Sequence, residues 1–169
     1  AQPKNATLIV AGCVAQQEGE RLARKMPQVD VVMGPQFANR VEEALERAVL
    51  WGEQVVATEA ARVTEDVTKP KRASEVVAWV NVMHGCNERC TYCVVPATRG
   101  VAQSRSPESV LGELRQLKEA GFKEATLLGQ NVDAYGRDLP NRVYFHQLLE
   151  MAAQQVQKDF RIRFVTSHP

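Results

Sequence analysis

The sequence predicts an α/β protein with parallel strands. Short apolar segments typical of buried strands alternate with segments whose apolar residues recur every three or four positions. This alternation begins near residue 7 and returns after residue 75, and it is typical of strand–helix units rather than of a helical bundle or a β-sandwich. Of the 169 residues 44% are hydrophobic and 24% are charged, which is the composition of an ordinary globular protein.

The first strand–helix unit contains a cysteine at its turn. Residues 7–12 form an apolar run that ends in glycine, and Cys13 follows at the carboxyl end of the predicted strand. Open parallel sheets bind ligands at that edge. A helix is predicted from about Ala15 to Met26, where Pro27 follows. Taken alone, a cysteine in this position is more often a small buried hydrophobic side chain than a ligand.

A second unit and a linker follow. Residues 29–34 predict a strand, and four spaced apolar residues then predict a helix ending near Gly52: Phe37, Val41, Leu45 and Ala48. In residues 58–74 the apolar residues show neither helical nor strand spacing. We therefore interpret this segment as an exposed linker between a domain at 1–57 and a domain at 75–169. Its cations Lys69, Lys71 and Arg72 are interpreted as solvated charges, with a phosphate-binding role as the alternative.

A strong strand at residues 76–83 leads into the most informative segment, residues 84–93. Cys86, Cys90 and Cys93 stand there at C-x3-C-x2-C spacing. Soft thiolate ligands on one short loop suit an iron–sulfur cluster. Three thiolates hold three corners of a cubane cluster, so one iron is left without a protein ligand.

A zinc site and a disulfide framework are the alternative uses of these cysteines. A structural zinc site normally has four ligands, and the nearest additional candidates are His84, Cys13, His146 and His168. The tight triplet lacks the second cysteine pair that such sites usually have. A disulfide framework requires more cysteines and an oxidising compartment, and no secretory segment precedes these four.

The remaining segments continue the strand–helix pattern. Ser106 and Pro107 predict the N-cap and first position of a helix that stops at Gly121. Residues 123–129 then predict a strand, and a further helix is predicted from Phe145 to Val156. Residues 161–165 alternate polar and apolar side chains, as a half-buried strand does.

The cysteine segment resembles the radical S-adenosylmethionine (SAM) superfamily, including Tyr92 before the last cysteine. The flanking segments resemble the methylthiotransferases of that superfamily: residues 82–86, 92–100 and 104–107. Residues 128–136 resemble their MiaB-type tRNA branch, and residues 11–16 resemble a cysteine motif of their N-terminal domain. The resemblance implies that 1–57 is the C-terminal part of that N-terminal domain and that 75–169 contains the first β/α units of a partial TIM-type barrel.

This resemblance implies two 4Fe-4S clusters and SAM as cofactors. Cys86, Cys90 and Cys93 would hold the radical cluster, which cleaves SAM to methionine and a 5′-deoxyadenosyl radical. Cys13 would join two further cysteines on an auxiliary cluster. Neither of those two is present, so we expect the chain to be truncated at its start and inactive alone.

Five residues are implied as cofactor-binding. The main chain around Tyr92 would lie against the adenine of SAM, and Gln130 and Asn131 would bind its methionine end. Arg99 and Arg105 are candidate partners for its carboxylate, because a guanidinium can donate two hydrogen bonds to that group. The amides alternatively shape the turn after the strand, and the arginines are alternatively surface charges. We expect structural roles for His146 and His168.

The implied function is methylthiolation of carbon 2 of an isopentenyladenosine beside the anticodon of tRNA. The implied partners are the tRNA anticodon stem-loop and an electron donor protein, for a monomeric cytoplasmic enzyme without a membrane segment. The net charge of +1 gives no excess of basic residues that would indicate RNA binding. The expectation of tRNA as a partner therefore rests on the resemblance. The alternatives are a sibling methylthiotransferase acting on another tRNA adenosine or a ribosomal protein, and a zinc-binding interaction module.

Overall fold

A computed structural model describes residues 6–63 and 72–165 of the chain. The described residues form two compact units. The first contains residues 6–63 together with 89–100, and the second contains residues 72–88 together with 101–165. Residues 64–71 of the predicted linker lie outside the description, as do the terminal residues 166–169 with His168.

The first unit alternates strands and helices. In chain order its elements are β1 Ile9–Ala11, α1 Cys13–Lys25, β2 Val31–Met33, a 3₁₀ helix Pro35–Arg40, α2 Val41–Trp51, β3 Val55–Ala57 and, from the separate segment, α3 Val95–Arg99. The three strands pair in parallel in the order β1-β2-β3. This confirms the predicted parallel α/β arrangement.

Helices pack on both faces of this sheet. Val31 and Met33 belong to the apolar cluster that contains Ala44 of α2, whereas Val32 between them packs with Ala15 and others on α1. Successive side chains of a strand point to opposite faces, so β2 is buried along its whole length. That burial explains why this strand reads as an uninterrupted apolar run.

The sequence located the first unit's elements but missed some boundaries. Helix α1 begins two residues earlier than predicted, at Cys13, directly after Gly12. Phe37 lies in the 3₁₀ helix rather than in α2. Strand β3 was not predicted from the sequence.

The second unit contains five strands and two α-helices. In chain order these are β4 Val77–Asn81, β5 Met83–His84, β6 Gln103–Ser104, α4 Pro107–Glu119, β7 Glu124–Leu128, a 3₁₀ helix Val132–Ala134, α5 Phe145–Val156 and β8 Arg161–Phe164. Strands β4, β7 and β8 form a parallel sheet with β7 in the centre. Strands β5 and β6 form a short antiparallel pair.

One face of the β4-β7-β8 sheet carries the core of this unit. Ala78 and Val80 of β4 pack with Leu127 of β7 and with apolar residues of both helices, among them Leu114 and Leu148. The connection from β4 to β7 returns through α4 and that from β7 to β8 through α5, since parallel neighbours require a long crossover. Three strands do not by themselves close a barrel, so the predicted barrel stays a prediction.

The predicted strand at residues 76–83 is two strands in the structure. Val82 lies between them and donates its N–H to Leu128 O at 2.8 Å, while its carbonyl accepts from the N–H of Arg105 at 2.9 Å. The chain therefore leaves β7 at this residue and pairs with the segment after the cysteine loop. The sequence did not show this change because every residue from 76 to 80 and 82 to 83 is apolar.

The predicted start of α4 is confirmed. The Ser106 hydroxyl accepts the N–H of Ser109, and Pro107 is the first helical residue. The interpretation of Arg72 as a solvated charge is wrong, because its guanidinium binds Glu113 and the carbonyl of Trp79. Lys69 and Lys71 lie outside the described residues. Within the described ranges no helix has the length and apolar character needed to cross a membrane.

Two glycines are predicted to respond oppositely to a Gly→Ala substitution. A Cβ at Gly136 would lie 1.7 Å from the carbonyl oxygen of Val143, and φ is +79°, so we expect Gly136→Ala to lower the free energy of unfolding by more than about 2 kcal/mol. Gly112 lies inside α4 with open space around its Cβ position. Gly112→Ala should raise stability by about 0.5–1 kcal/mol. Denaturant titration measures both, and equal effects would contradict the backbone argument.

Candidate functional site

The cysteine loop begins at the end of β5, in the second unit. Gly85 has φ +70° and donates its N–H to Oε1 of Gln130 at 2.7 Å. Cys86 follows and is only 8% exposed. The side-chain oxygen of Asn87 accepts the N–H of Ala102 at 2.9 Å, which ties the loop to the residues just before β6. The first cysteine is therefore held close to the sheet of its own unit.

The other two cysteines of the triplet belong to the first unit. Cys93 donates its N–H to the carbonyl of Cys90 at 3.0 Å, which closes a tight turn. Both thiols are half-buried, whereas the side chain of Tyr92 between them is 89% exposed. Helix α3 begins two residues after the turn, with Pro96 in its first turn and Arg99 at its end. The sequence did not predict this helix.

The triplet fits an iron–sulfur cluster by its donor chemistry. All four cysteines lie in the described ranges and none of them forms a disulfide, so thiol sulfur is available as a ligand. Among residues 6–63 and 72–165, no three His, Cys, Asp or Glu side chains are grouped as ligands of a metal ion. The assignment of Cys86, Cys90 and Cys93 as ligands therefore remains a prediction from spacing and ligand type.

Gln130 and Asn131 follow β7 directly, where the sequence expected them. Gln130 Oε1 is engaged by Gly85, so this side chain also connects β7 to the start of the cysteine loop. Asn131 is 3% exposed, and its Oδ1 has no hydrogen-bond partner among the described residues. A buried acceptor without a partner is costly, and a ligand amino group would satisfy it. The Asn131 side chain thus fits a role in binding SAM.

The glycine before Gln130 permits a close contact within this site. A Cβ at Gly129 would lie 2.5 Å from Cγ of Met83 and 3.3 Å from Cγ1 of Val132. Met83 is fully buried and begins the strand that leads into the cysteine loop. The end of β7 therefore approaches the loop's entry strand more closely than any side chain at this position would allow.

Arg105 is engaged by groups of its own unit. Its guanidinium donates to Asn81 O and Glu113 Oε2, both at 2.7 Å, and to the Ser109 hydroxyl at 2.8 Å. Arg72 binds the other oxygen of the same Glu113 carboxylate at 2.6 Å. This network connects α4 to the edge strand β4. A structural role explains these contacts, and the predicted cofactor role of Arg105 stays untested.

Two further predicted residues lie in the first unit. Cys13 is half-buried and is the first residue of α1, at the carboxyl edge of the β1-β2-β3 sheet. Arg99 is half-buried at the end of α3. His146, in the second unit, is exposed and stacks on Tyr144 with ring centroids 6.2 Å apart. A structural role fits that contact.

Sequence reasoning missed two acidic residues that shape the second unit. Glu113 accepts from both arginines of the network described above. Asp138 accepts the N–H of Ser104 at 2.8 Å and its hydroxyl at 2.6 Å. Both carboxylates bind groups distant in sequence, so local spacing provided no signal that would have identified them.

One comparison with known proteins identifies a family. The family model described as the Radical SAM superfamily matches residues 80–169. The match begins inside β4 and includes the cysteine triplet, Arg105, Gln130 and Asn131. It covers more than half of the chain.

The Gln130–Gly85 hydrogen bond leads to a first site prediction. Gln130→Leu should leave the buried Gly85 N–H without its acceptor and lower the free energy of unfolding of this unit by about 1–3 kcal/mol. Gln130→Glu keeps an oxygen acceptor and should retain most of the stability. Amide hydrogen exchange at Gly85 is the measurement. Equal exchange rates in the two variants would contradict the contact.

The arginine network leads to a second site prediction. Arg105→Lys replaces a guanidinium that reaches three acceptors by a single ammonium, so we expect a loss of about 1–3 kcal/mol in the metal-free chain. Arg115→Lys is the control. Arg115 lies on the exposed surface of α4, the helix that contains Glu113, so this substitution should change stability by less than about 0.5 kcal/mol. If both variants melt alike, the network does not stabilise the unit.

Proposed function

The chain belongs to the radical SAM superfamily, and from that premise we propose that it is a tRNA methylthiotransferase of the MiaB type. Members of the superfamily use a 4Fe-4S cluster and SAM. The proposed reaction replaces the hydrogen on carbon 2 of an isopentenyladenosine beside the anticodon with a methylthio group. One SAM would supply the radical that removes this hydrogen and another the methyl group, and a separate sulfur source would supply the sulfur atom.

The observation that carries the proposal is the coincidence of motifs within the matched residues. The triplet Cys86, Cys90 and Cys93 lies there, and residues 82–86, 92–100 and 104–107 resemble the methylthiotransferases. The segment 128–136 resembles the tRNA branch of that family. Outside the match, residues 11–16 with Cys13 resemble a cysteine motif of the family's N-terminal domain.

Radical chemistry suits this substrate for a simple reason. An aromatic C–H group has no acidic proton, so a side chain acting as a general base has nothing useful to remove. When bound, the cluster and SAM would supply radical chemistry, which can remove a hydrogen atom instead. The protein's part is to bind the cofactor, orient it and exclude competing reactions.

The chain's own residues divide this work. Cys86, Cys90 and Cys93 would hold the radical cluster through their thiolates, and Cys13 would be one ligand of an auxiliary cluster. Asn131 would accept a hydrogen bond from the amino group of SAM through its buried Oδ1. Gln130 holds the loop entrance through Gly85.

Three other assignments belong to the proposal. The main chain around Tyr92 would lie along the adenine, and Arg99 and Arg105 are candidate carboxylate partners. The parallel strands β4, β7 and β8 would be the first strands of a partial barrel, with the chemistry at their carboxyl ends. The remaining expectations are the tRNA anticodon stem-loop and an electron donor protein as partners of a monomeric, cytoplasmic enzyme.

Electron paramagnetic resonance tests the cluster. After anaerobic reconstitution with iron and sulfide and reduction, we expect a cluster signal that changes when SAM is added, because SAM binds an iron without a protein ligand. Cys90→Ser should abolish that SAM-dependent change, whereas Cys13→Ser is the matched control and should keep it. A signal that SAM leaves unchanged would argue against an open iron site.

The substrate class needs a separate assay. The enzyme that carries this sequence is given SAM, a reductant and a sulfur source with one of three substrates: an isopentenylated anticodon stem-loop, one bearing a different modified adenosine, or a ribosomal protein. We expect a mass gain of one methylthio group in the first alone. A gain in one of the others would assign the chain to a sibling methylthiotransferase.

A further inference from the structure

The second half of the cysteine loop packs within the first unit. Residues 89–100 belong to that unit, and α3 packs against α1 and against the 3₁₀ helix Pro35–Arg40. Thr98 in α3 is 2% exposed. Its hydroxyl bonds the carbonyl of Val94 within the same helix, so its burial comes from packing against other elements. The segment that contains Cys90 and Cys93 is thus attached to the unit that contains Cys13.

A buried glutamine makes the polar part of this attachment. Gln36, in the 3₁₀ helix, is 6% exposed and donates from Nε2 to the main-chain carbonyl of Thr98 at 3.3 Å. The amide nitrogen must face Thr98, since the amide oxygen in that place would oppose another acceptor. A Cβ at Gly100, the residue after α3, would lie 3.8 Å from the same nitrogen. Gln36 therefore contacts the loop at the end of α3.

A second glutamine makes a matching contact at the same sheet edge. Gln16 lies one turn after Cys13 and donates from Nε2 to the carbonyl of Thr58 at 2.6 Å, just beyond β3. A Cβ at Gly34 would lie 1.7 Å from Oε1 of Gln16 and 3.0 Å from Oε1 of Gln36. The two amides are therefore neighbours above the end of β2, and the glycine leaves room for both.

We propose that Gln36 is a positioning residue for the cysteine loop. By holding Thr98 at the carboxyl edge of the β1-β2-β3 sheet, it determines where Cys90 and Cys93 lie within the unit that carries Cys13. Gln16 holds the first turn of α1 at the same edge. The effect of this positioning on an iron–sulfur cluster rests on the proposed function, whereas the hydrogen bond between Gln36 and Thr98 does not.

Loss of the Gln36 side-chain donor should increase the opening of the segment 89–100 and leave the other unit unaffected. Without the amide donor, the end of α3 loses its hydrogen bond to the Gln36 side chain of the 3₁₀ helix. The net free energy of one such bond corresponds to a change of roughly two- to ten-fold in the population of the open loop. Cys90 and Cys93 should become more reactive by that factor, while Cys86, which belongs to the other unit, should not.

Thiol labelling of the metal-free chain tests the proposal. The rate of iodoacetamide labelling at each cysteine is followed by mass spectrometry in the parent chain and in Gln36→Leu. Gln36→Glu is the second variant, because it keeps the size of the side chain but cannot donate to Thr98. We expect both to raise the labelling of Cys90 and Cys93 relative to Cys86 by roughly two- to ten-fold.

Gln54→Leu is the matched control. Gln54 lies in the same unit, and its amide also donates to a main-chain carbonyl, that of Val29 at 2.8 Å. Its loss should leave the ratio of Cys90 and Cys93 to Cys86 unchanged. If Gln36→Leu does not fold, Gln36→Glu decides. Unchanged ratios in the folded Gln36 variants, or the same rise in Gln54→Leu, would overturn the positioning role.

A second measurement separates this proposal from the proposed function. The same variants are reconstituted with iron and sulfide, and their resonance spectra are recorded. An altered cluster signal or a lower iron content in Gln36→Leu, with Gln54→Leu like the parent, supports a positioning role toward the cluster. A parent chain that binds no iron would count against the proposed function alone, because the labelling ratios report the Gln36 contact without any metal.

Discussion

The hydrogen bond from Gly85 N–H to Gln130 Oε1 connects the two segments of the second unit that contain its predicted cluster and cofactor residues. Gln130 follows the central strand of the parallel sheet, and Gly85 precedes the first cysteine of the triplet. The close approach of Gly129 to Met83 brings the same two segments together without an intervening side chain. The entry to the cysteine loop is thereby fixed at the carboxyl edge of the sheet, where parallel α/β proteins bind ligands.

The loop then leaves that unit. Cys90 and Cys93 lie on a segment whose helix α3 packs with α1 and with the 3₁₀ helix Pro35–Arg40, where the buried amide of Gln36 contacts Thr98. The position of this segment is therefore determined by contacts within the first unit, with residues far from it in the sequence.

Much of the fold was predictable because the buried faces of helices and strands require apolar residues at regular spacing in the sequence. Helices α4 and α5 were predicted from the sequence, and their apolar residues Val110, Leu114 and Leu148 are fully buried in the structure. The N-cap at Ser106 is a local signal and was predicted correctly. Strands β3 and β6 and helix α3 were missed, since the elements with which they pair or pack are distant in sequence: β2, β5 and α1.

The sequence by itself determined which chemistry to expect of this protein. Three cysteines at C-x3-C-x2-C spacing are soft ligands on one short loop, and this indicates a thiolate cluster. The cofactor role predicted for the polar pair after β7 came from the resemblance to the radical SAM superfamily. Only the tertiary structure decided which groups are engaged. Glu113 binds Arg72 and Arg105, Gln130 binds Gly85, and Gln36 binds Thr98. These partners lie 8 to 62 positions apart in the chain, so only folding brings them within hydrogen-bond distance.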